Sequence, residues 1–141
     1  MKTLVVRSIA IAALAAVILW TNAADAQNGK TPSVKEAMAK LNKGPGSLCP
    51  QVGKAIKAEA PNWDEIQKES KQVLVFADAL VKNDPPRGDK ASWDKLTKAY
   101  FASAKELDDA AQKKDKNGAA AAHAKLASSA GCNGCHKAHR N

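Results

Sequence analysis

Cysteine is scarce in this chain, and bulky apolar residues are few for its length. The 141 residues include three cysteines, two methionines and six aromatic residues, namely three tryptophans, two phenylalanines and one tyrosine. An odd number of cysteines excludes a fully paired disulfide framework. No stretch alternates apolar and polar residues with the period of a β-strand, so we expect no sheet.

The chain also lacks an apolar run long enough to predict a membrane-spanning helix. Lys2 and Arg7 precede or flank the apolar residues 8–20, a run of about 13 that falls short of the roughly 18 expected for a span. The small-x-small pattern Ala24-Asp25-Ala26 follows, as at a signal-peptidase site. We therefore predict a cleaved signal peptide over residues 1–26, the alternative being a retained anchor. Residues 27–141 then form one domain in the periplasm.

The formal charge is strongly positive. It is +8 for the whole chain, and loss of Lys2, Arg7 and Asp25 with the signal peptide lowers it to +7. Such a balance suits an acidic protein partner or an anionic membrane surface. Nucleic acid is not expected for an exported protein, and the lysines are scattered along every segment rather than gathered into a basic arm.

Four stretches have the periodicity of amphipathic helices. The first begins at about Ser33, is interrupted by Gly44-Pro45-Gly46 and resumes over residues 47–59, so that one bent helix and two helices are both open. In the second, Asn62 is the expected N-cap, and the prolines at 85 and 86 end the helix.

The third stretch is expected to begin with Ser92 as its N-cap and to end at Asn117-Gly118. The fourth runs from Ala119 to about His139. Short connections between long amphipathic helices make neighbours antiparallel, so the predicted fold class is all-α, an antiparallel up-down four-helix bundle. Trp63 and Trp93 open consecutive helices and are interpreted as core anchors.

The strongest motif is Cys132-x-x-Cys135-His136, near the C-terminus. This spacing is typical of haem c, in which two thioether bonds hold the haem vinyl groups and the adjacent histidine coordinates the iron. A haem would also supply buried area that the alanine-rich residues 119–130 lack, and their small side chains leave room for its ring. We therefore predict one covalently attached haem c, with its iron bound by His136.

Other interpretations of the cysteine pair fit less well. A thioredoxin-type dithiol lies at a helix start within a βαβ unit, and no such unit is predicted. A structural zinc ion requires four ligands, for which the remaining candidates are Cys49, His123 and His139. If Cys132 and Cys135 were neighbours by chance in a disulfide-bonded protein, the adjacent His136 would have no explanation.

A haem motif on the last helix of a predicted four-helix bundle resembles the cytochrome c′ family and its low-spin relatives. In that family the motif commonly continues with a tyrosine and an arginine, where this sequence has His139 and Arg140. The stretch Ala60-Pro61-Asn62-Trp63 is similar to the loop between the family's first two helices. The resemblance implies that Arg140 lies near the haem, beside its proximal face or a propionate.

Three residues outside the motif carry further expectations. His123 and His139 lie on the predicted haem helix and are interpreted as surface histidines. Cys49 is interpreted as a buried or half-buried thiol, with an intermolecular disulfide as the alternative. Because members of the resembled family are often dimers, a homodimer is also implied.

Two functions fit this architecture, and the sixth iron ligand separates them. In the resembled family the first helix covers the distal face of the haem, and Met38 of that helix is the only methionine after residue 26. A methionine sulfur is a suitable sixth ligand in a haem that carries electrons to a redox partner protein. We therefore predict an electron carrier in which His136 and Met38 ligate the iron. The alternative is a five-coordinate protein that binds a diatomic gas, NO or CO. Enzyme activity is not expected, because no acid–base constellation accompanies the motif.

Overall fold

The structure, a computed structural model, describes residues 30–140, and the predicted signal peptide lies outside them. Residues 30–140 form six α-helices and no strand, which confirms the all-α class. None of these helices is both long enough and apolar enough to cross a bilayer. The helices are α1 (Val34–Asn42), α2 (Leu48–Lys57), α3 (Trp63–Lys82), α4 (Lys90–Gln112), α5 (Lys116–Leu126) and α6 (Ser129–His139).

The first predicted stretch is two helices rather than one bent helix. Ser33 is the N-cap of α1, where its hydroxyl accepts from the Glu36 N–H while the Glu36 carboxylate accepts from the Ser33 N–H. This reciprocal pair satisfies two N–H groups that a helix start leaves unpaired. The chain then turns at Gly44, whose φ of +87° is costly for other residues. The Ser47 hydroxyl donates to the Gly44 carbonyl at 2.6 Å and closes the turn before α2.

The third helix begins where the sequence indicates. Asn62 caps α3 by accepting from the Glu65 N–H, as predicted, and α3 ends at Lys82 before the two prolines. The prediction for the next helix start was wrong. The N-cap of α4 is Asp89, not Ser92, and the Asp89 carboxylate accepts from the Ser92 N–H at 2.7 Å. Aspartate and serine are comparable N-caps, so either residue could begin the helix, and Asp89 comes first along the chain.

The boundary between the third and fourth predicted stretches was also wrong. α4 ends at Gln112, and the left-handed turn lies at Lys114, with φ of 56°. Asn117-Gly118 lies inside α5, because Asp115 caps this helix by accepting from the Gly118 N–H at 3.0 Å. The last predicted helix is likewise divided, into α5 and α6, with a break at residues 127–128.

The helices pack around one apolar core. α3 packs along α4, α1 and α2 pack on α3, and α5 and α6 pack on α4. α2 also contacts α5. Trp93 is 2% exposed, as expected of a core anchor, whereas Trp63 is half-buried at the core edge. The largest fully buried apolar side chains are Leu41, Val52, Ile56, Ile66, Val73, Leu107 and Leu126.

Candidate functional site

A cavity of about 880 Å³ lies between α1, α4 and α6. Its walls are mostly apolar or weakly polar, and α3 contributes one residue to them. The lining residues are Val34, Lys35, Met38, Ala39, Asn42, Lys43, Leu80, Pro86, Trp93, Leu96, Thr97, Tyr100, Cys132, Cys135, His136, His139 and Arg140. Its volume lies in the range of small-molecule and cofactor sites.

All five residues that the sequence singled out for a haem line this cavity. Met38 comes from α1, where it is half-buried and packs against the core. Cys132, Cys135 and His136 come from α6, and Arg140 follows that helix directly. Residues separated by almost a hundred positions therefore border one space.

The two motif cysteines are half-buried thiols that form no disulfide with each other. The Cys132 thiol donates to the Leu126 carbonyl at 3.4 Å, which links α6 to the end of α5. Cys135 packs against the core, and burial raises the pKa of its thiol, with the neighbouring Cys132 as a second cause. Because its pKa is raised, the Cys135 thiol is protonated and uncharged at neutral pH when no group is bound to it. The adjacent His136 is exposed.

The geometry does not favour a metal ion held by protein ligands alone. Within residues 30–140, no three side chains of histidine, cysteine, aspartate or glutamate converge as such an ion requires. Cys49 and His123, the additional zinc candidates, contact each other's helices through a hydrogen bond instead. The His123 Nε2 donates to the Cys49 carbonyl at 2.7 Å, joining α5 to α2.

The prediction that His139 lies on the surface was wrong, since its side chain is 2% exposed. Its Nδ1 lies 2.8 Å from the Arg87 carbonyl, and because a carbonyl can only accept, Nδ1 carries the hydrogen. Its Nε2 lies 3.2 Å from the Ser92 hydroxyl. The ring also meets Trp93 edge-on, with centroids 5.3 Å apart and an interplanar angle of 77°. His139 therefore fastens α6 to the α3–α4 connection.

Further hydrogen bonds extend this fastening to the other cavity walls. The Trp93 indole N–H donates to the Asn83 carbonyl at 2.7 Å, at the end of α3. The Asn83 amide donates to the Pro32 carbonyl at 2.8 Å, just before α1. A continuous chain of contacts thus runs from Pro32 through Asn83 and Trp93 to His139, and it joins the starts of α1 and α4 to the ends of α3 and α6.

His123 is half-buried, so its surface assignment was also wrong. Its hydrogen bond to Cys49 explains the burial, and Gly53 leaves room for its ring, since a Cβ at position 53 would collide with it. Helical periodicity could not indicate the burial of His139 or the partial burial of His123, because each histidine is covered by a partner that is distant in sequence.

Tyr100 of α4 also lines the cavity, which helical spacing alone does not indicate. Its hydroxyl lies 3.5 Å from the Cys49 sulfur. Burial raises the pKa of Tyr100 far above its usual value, with Cys49 as the next cause. Burial likewise raises the pKa of Cys49, which is 5% exposed as the buried-thiol interpretation predicts. Both groups are therefore neutral at ordinary pH.

No protein-family model, curated protein or solved structure matches this chain.

Proposed function

We propose that this protein is an exported c-type cytochrome that carries electrons through one haem held in the cavity between α1, α4 and α6. The observation that carries the proposal is the convergence of Met38, Cys132, Cys135, His136 and Arg140 on that cavity. The first four are two thiols that could bond covalently to a haem, and a thioether and an imidazole that could ligate its iron.

The cavity's composition fits a haem in two respects. Its walls are mostly uncharged, and its volume of about 880 Å³ suits a large planar cofactor. A haem iron also takes four nitrogens from its own ring and needs only two protein ligands. The lack of three converging ligand side chains among residues 30–140 is therefore consistent with haem iron, although it argues against zinc.

Each residue has a separate role in this proposal. Cys132 and Cys135 would hold the haem through thioether bonds to its vinyl groups, and His136 would ligate its iron. Met38 of α1 would supply the second protein ligand. Arg140 lies beside a haem propionate, where its charge is complementary to the carboxylate. When bound, the haem supplies an iron that gains and releases one electron.

The fold we propose around the haem is a four-helix bundle like that of the cytochrome c′ family. α1 and α2 together make the first segment, α3 and α4 the second and third, and α5 with α6 the last. The pairwise packing of α1 and α2 on α3, of α5 and α6 on α4, and of α2 on α5 supports this grouping. The predicted export fits this cofactor as well, since haem c is attached outside the bacterial cytoplasm.

Electron transfer is favoured over catalysis because of what borders the cavity. Its lining includes no aspartate or glutamate, and the Tyr100 hydroxyl has a strongly raised pKa, so neither supplies a base at neutral pH. A half-buried methionine that lines the same cavity as the motif instead suits a stable six-coordinate iron.

Visible spectra of the ferric and ferrous protein test this proposal. We expect a low-spin ferric haem with a weak far-red band from sulfur-to-iron charge transfer. Met38→Ala should abolish the band, lower the reduction potential and open the site to CO. Val34→Ala is the matched control, because Val34 lines the same cavity from the same helix and has no sulfur.

A contrary result has a defined meaning. If the unmodified protein is high-spin and binds CO or NO readily, Met38 is not a ligand. The gas-binding alternative would then replace electron transfer.

A further inference from the structure

The cations of this protein are spread along the chain, but its anions are not. Residues 34–58, which form α1 and α2, contain five lysines and one glutamate. Residues 113–140, which form α5 and α6, contain six cations and one aspartate. Residues 63–112, which form α3 and α4, contain ten anions and eight cations. The net positive charge therefore belongs to the first two and last two helices.

These four helices are joined by direct contacts between neighbours. α1 contacts α2, α2 contacts α5, and α5 contacts α6, so the basic segments form a continuous layer. α3 and α4 pack against each other and carry most of the acidic residues. We name the layer of α1, α2, α5 and α6 the basic face. All of its cations are exposed, namely Lys35, Lys40, Lys43, Lys54, Lys57, Lys113, Lys114, Lys116, Lys125, Lys137 and Arg140.

Ion pairing strengthens the contrast between the two sides. On α3, α4 and their connection, Lys82, Lys90 and Lys105 each pair with an aspartate of the same segment. On the basic face, Lys125 is the one cation in an ion pair among the described residues, with Glu106 of α4. The charges of the basic face are consequently left for solvent or for a partner.

Some of these charges border the cavity. Lys35, Lys43 and Arg140 line it, and among residues 30–140 no carboxylate does. A partner that presents acidic side chains to the basic face would thus approach the group held in the cavity. Complementary charge speeds encounter and orients the partners, which an electron carrier needs because it must bind and release quickly.

We propose that the basic face is the docking surface for an acidic protein partner, with the cavity mouth at the contact. This inference rests on the proposed function, since it takes the partner to be the protein that exchanges electrons with the haem. It differs from a general attraction by net charge, because it assigns binding to one side of the molecule and excludes α3 and α4.

The test uses the haem-loaded mature chain with poly-L-glutamate as the acidic probe. Amide NMR shifts measured during titration should change on the basic face and leave the residues of α3 and α4 outside the cavity lining unaffected. Binding should weaken as salt is added, because exposed charges are screened. Equal shifts on both sides would overturn the proposal.

Two double variants sharpen the test. Lys40→Gln/Lys43→Gln removes two exposed, unpaired lysines from the end of α1, whereas Lys68→Gln/Lys71→Gln removes a pair with the same spacing from α3. The α1 double variant should raise the dissociation constant for poly-L-glutamate about threefold to tenfold, and the α3 double variant should raise it less than about twofold. Equal effects would contradict the assignment.

Two further measurements distinguish failure of the docking proposal from failure of the haem proposal. The haem absorption of each sample reports whether the proposed cofactor is present, independently of probe binding. Phosphatidylglycerol vesicles are tested alongside the peptide. If the basic face binds vesicles and gives no shifts with poly-L-glutamate, the surface recognises a membrane and the docking proposal fails.

Discussion

Substitution of the buried His139 should destabilise the protein more than substitution of an exposed residue of α6. His139→Phe keeps an aromatic ring against Trp93 but loses the bonds to the Arg87 carbonyl and the Ser92 hydroxyl, which measure 2.8 and 3.2 Å. At about 1 kcal/mol for each hydrogen bond, we expect a loss of about 2 kcal/mol. His139→Ala also loses the ring contact and leaves a void, so its cost should reach about 3–4 kcal/mol.

Urea unfolding of the haem-loaded protein measures both costs. Lys137→Ala is the matched control, since Lys137 is exposed on the same helix, and the bond from Arg87 goes to its backbone carbonyl. The control should change the free energy of unfolding by less than about 0.5 kcal/mol. If His139→Ala is as mild as Lys137→Ala, the imidazole does not fasten α6 to the α3–α4 connection, and the reasoning fails.

Three further predictions concern other parts of the structure. Tyr100, the chain's one tyrosine, should give no tyrosinate absorbance until well above pH 10, because burial raises the pKa of its hydroxyl in the folded state. The unfolded chain loses this proton at about pH 10, so the free energy of unfolding should fall by about 1.4 kcal/mol per pH unit above that pH. Tyr100→Phe should remove this component of the alkaline loss of stability, and early tyrosinate absorbance would contradict the burial. Gly88→Ala should lower the free energy of unfolding in urea by about 1–2 kcal/mol more than Gly44→Ala. Both glycines have positive φ. A Cβ at position 88 would lie 2.8 Å from the Ala138 carbonyl oxygen, whereas a Cβ at position 44 would have no neighbour within 4 Å. Equal costs would refute the close approach. Cys49→Ser should leave haem incorporation and the visible spectrum unchanged, and loss of haem would show that the thiols are misassigned.

The sequence predicted those features of the fold that depend on neighbouring residues. The helix start at about Ser33 and the Asn62 cap were predicted from local patterns, and both are confirmed. The start of α4 was wrong because Asp89 and Ser92 are both good caps, and periodicity cannot choose between them. The predicted end of α4 was wrong because Gly118 was interpreted as a C-cap. The Gly118 N–H instead donates to the Asp115 carboxylate, which caps the start of α5.

For the candidate site too, the sequence predicted local features and missed those that depend on packing between distant segments. The spacing of Cys132, Cys135 and His136 is visible in the sequence, and Met38 of α1 lines the same cavity as these residues. The burial of His139 could not be predicted, since it depends on how the α3–α4 connection packs against α6. Tyr100 was missed because its role depends on facing a cavity, which helical spacing does not describe.

The central claim is that Cys132 and Cys135 hold a haem covalently, and the intact mass of the exported protein tests it most directly. Under denaturing and reducing conditions, the mass should equal residues 27–141 plus one haem. Alkylation should then modify one thiol, that of Cys49. A mass of the polypeptide alone, with three alkylated cysteines after expression alongside haem-attachment machinery, would contradict the account.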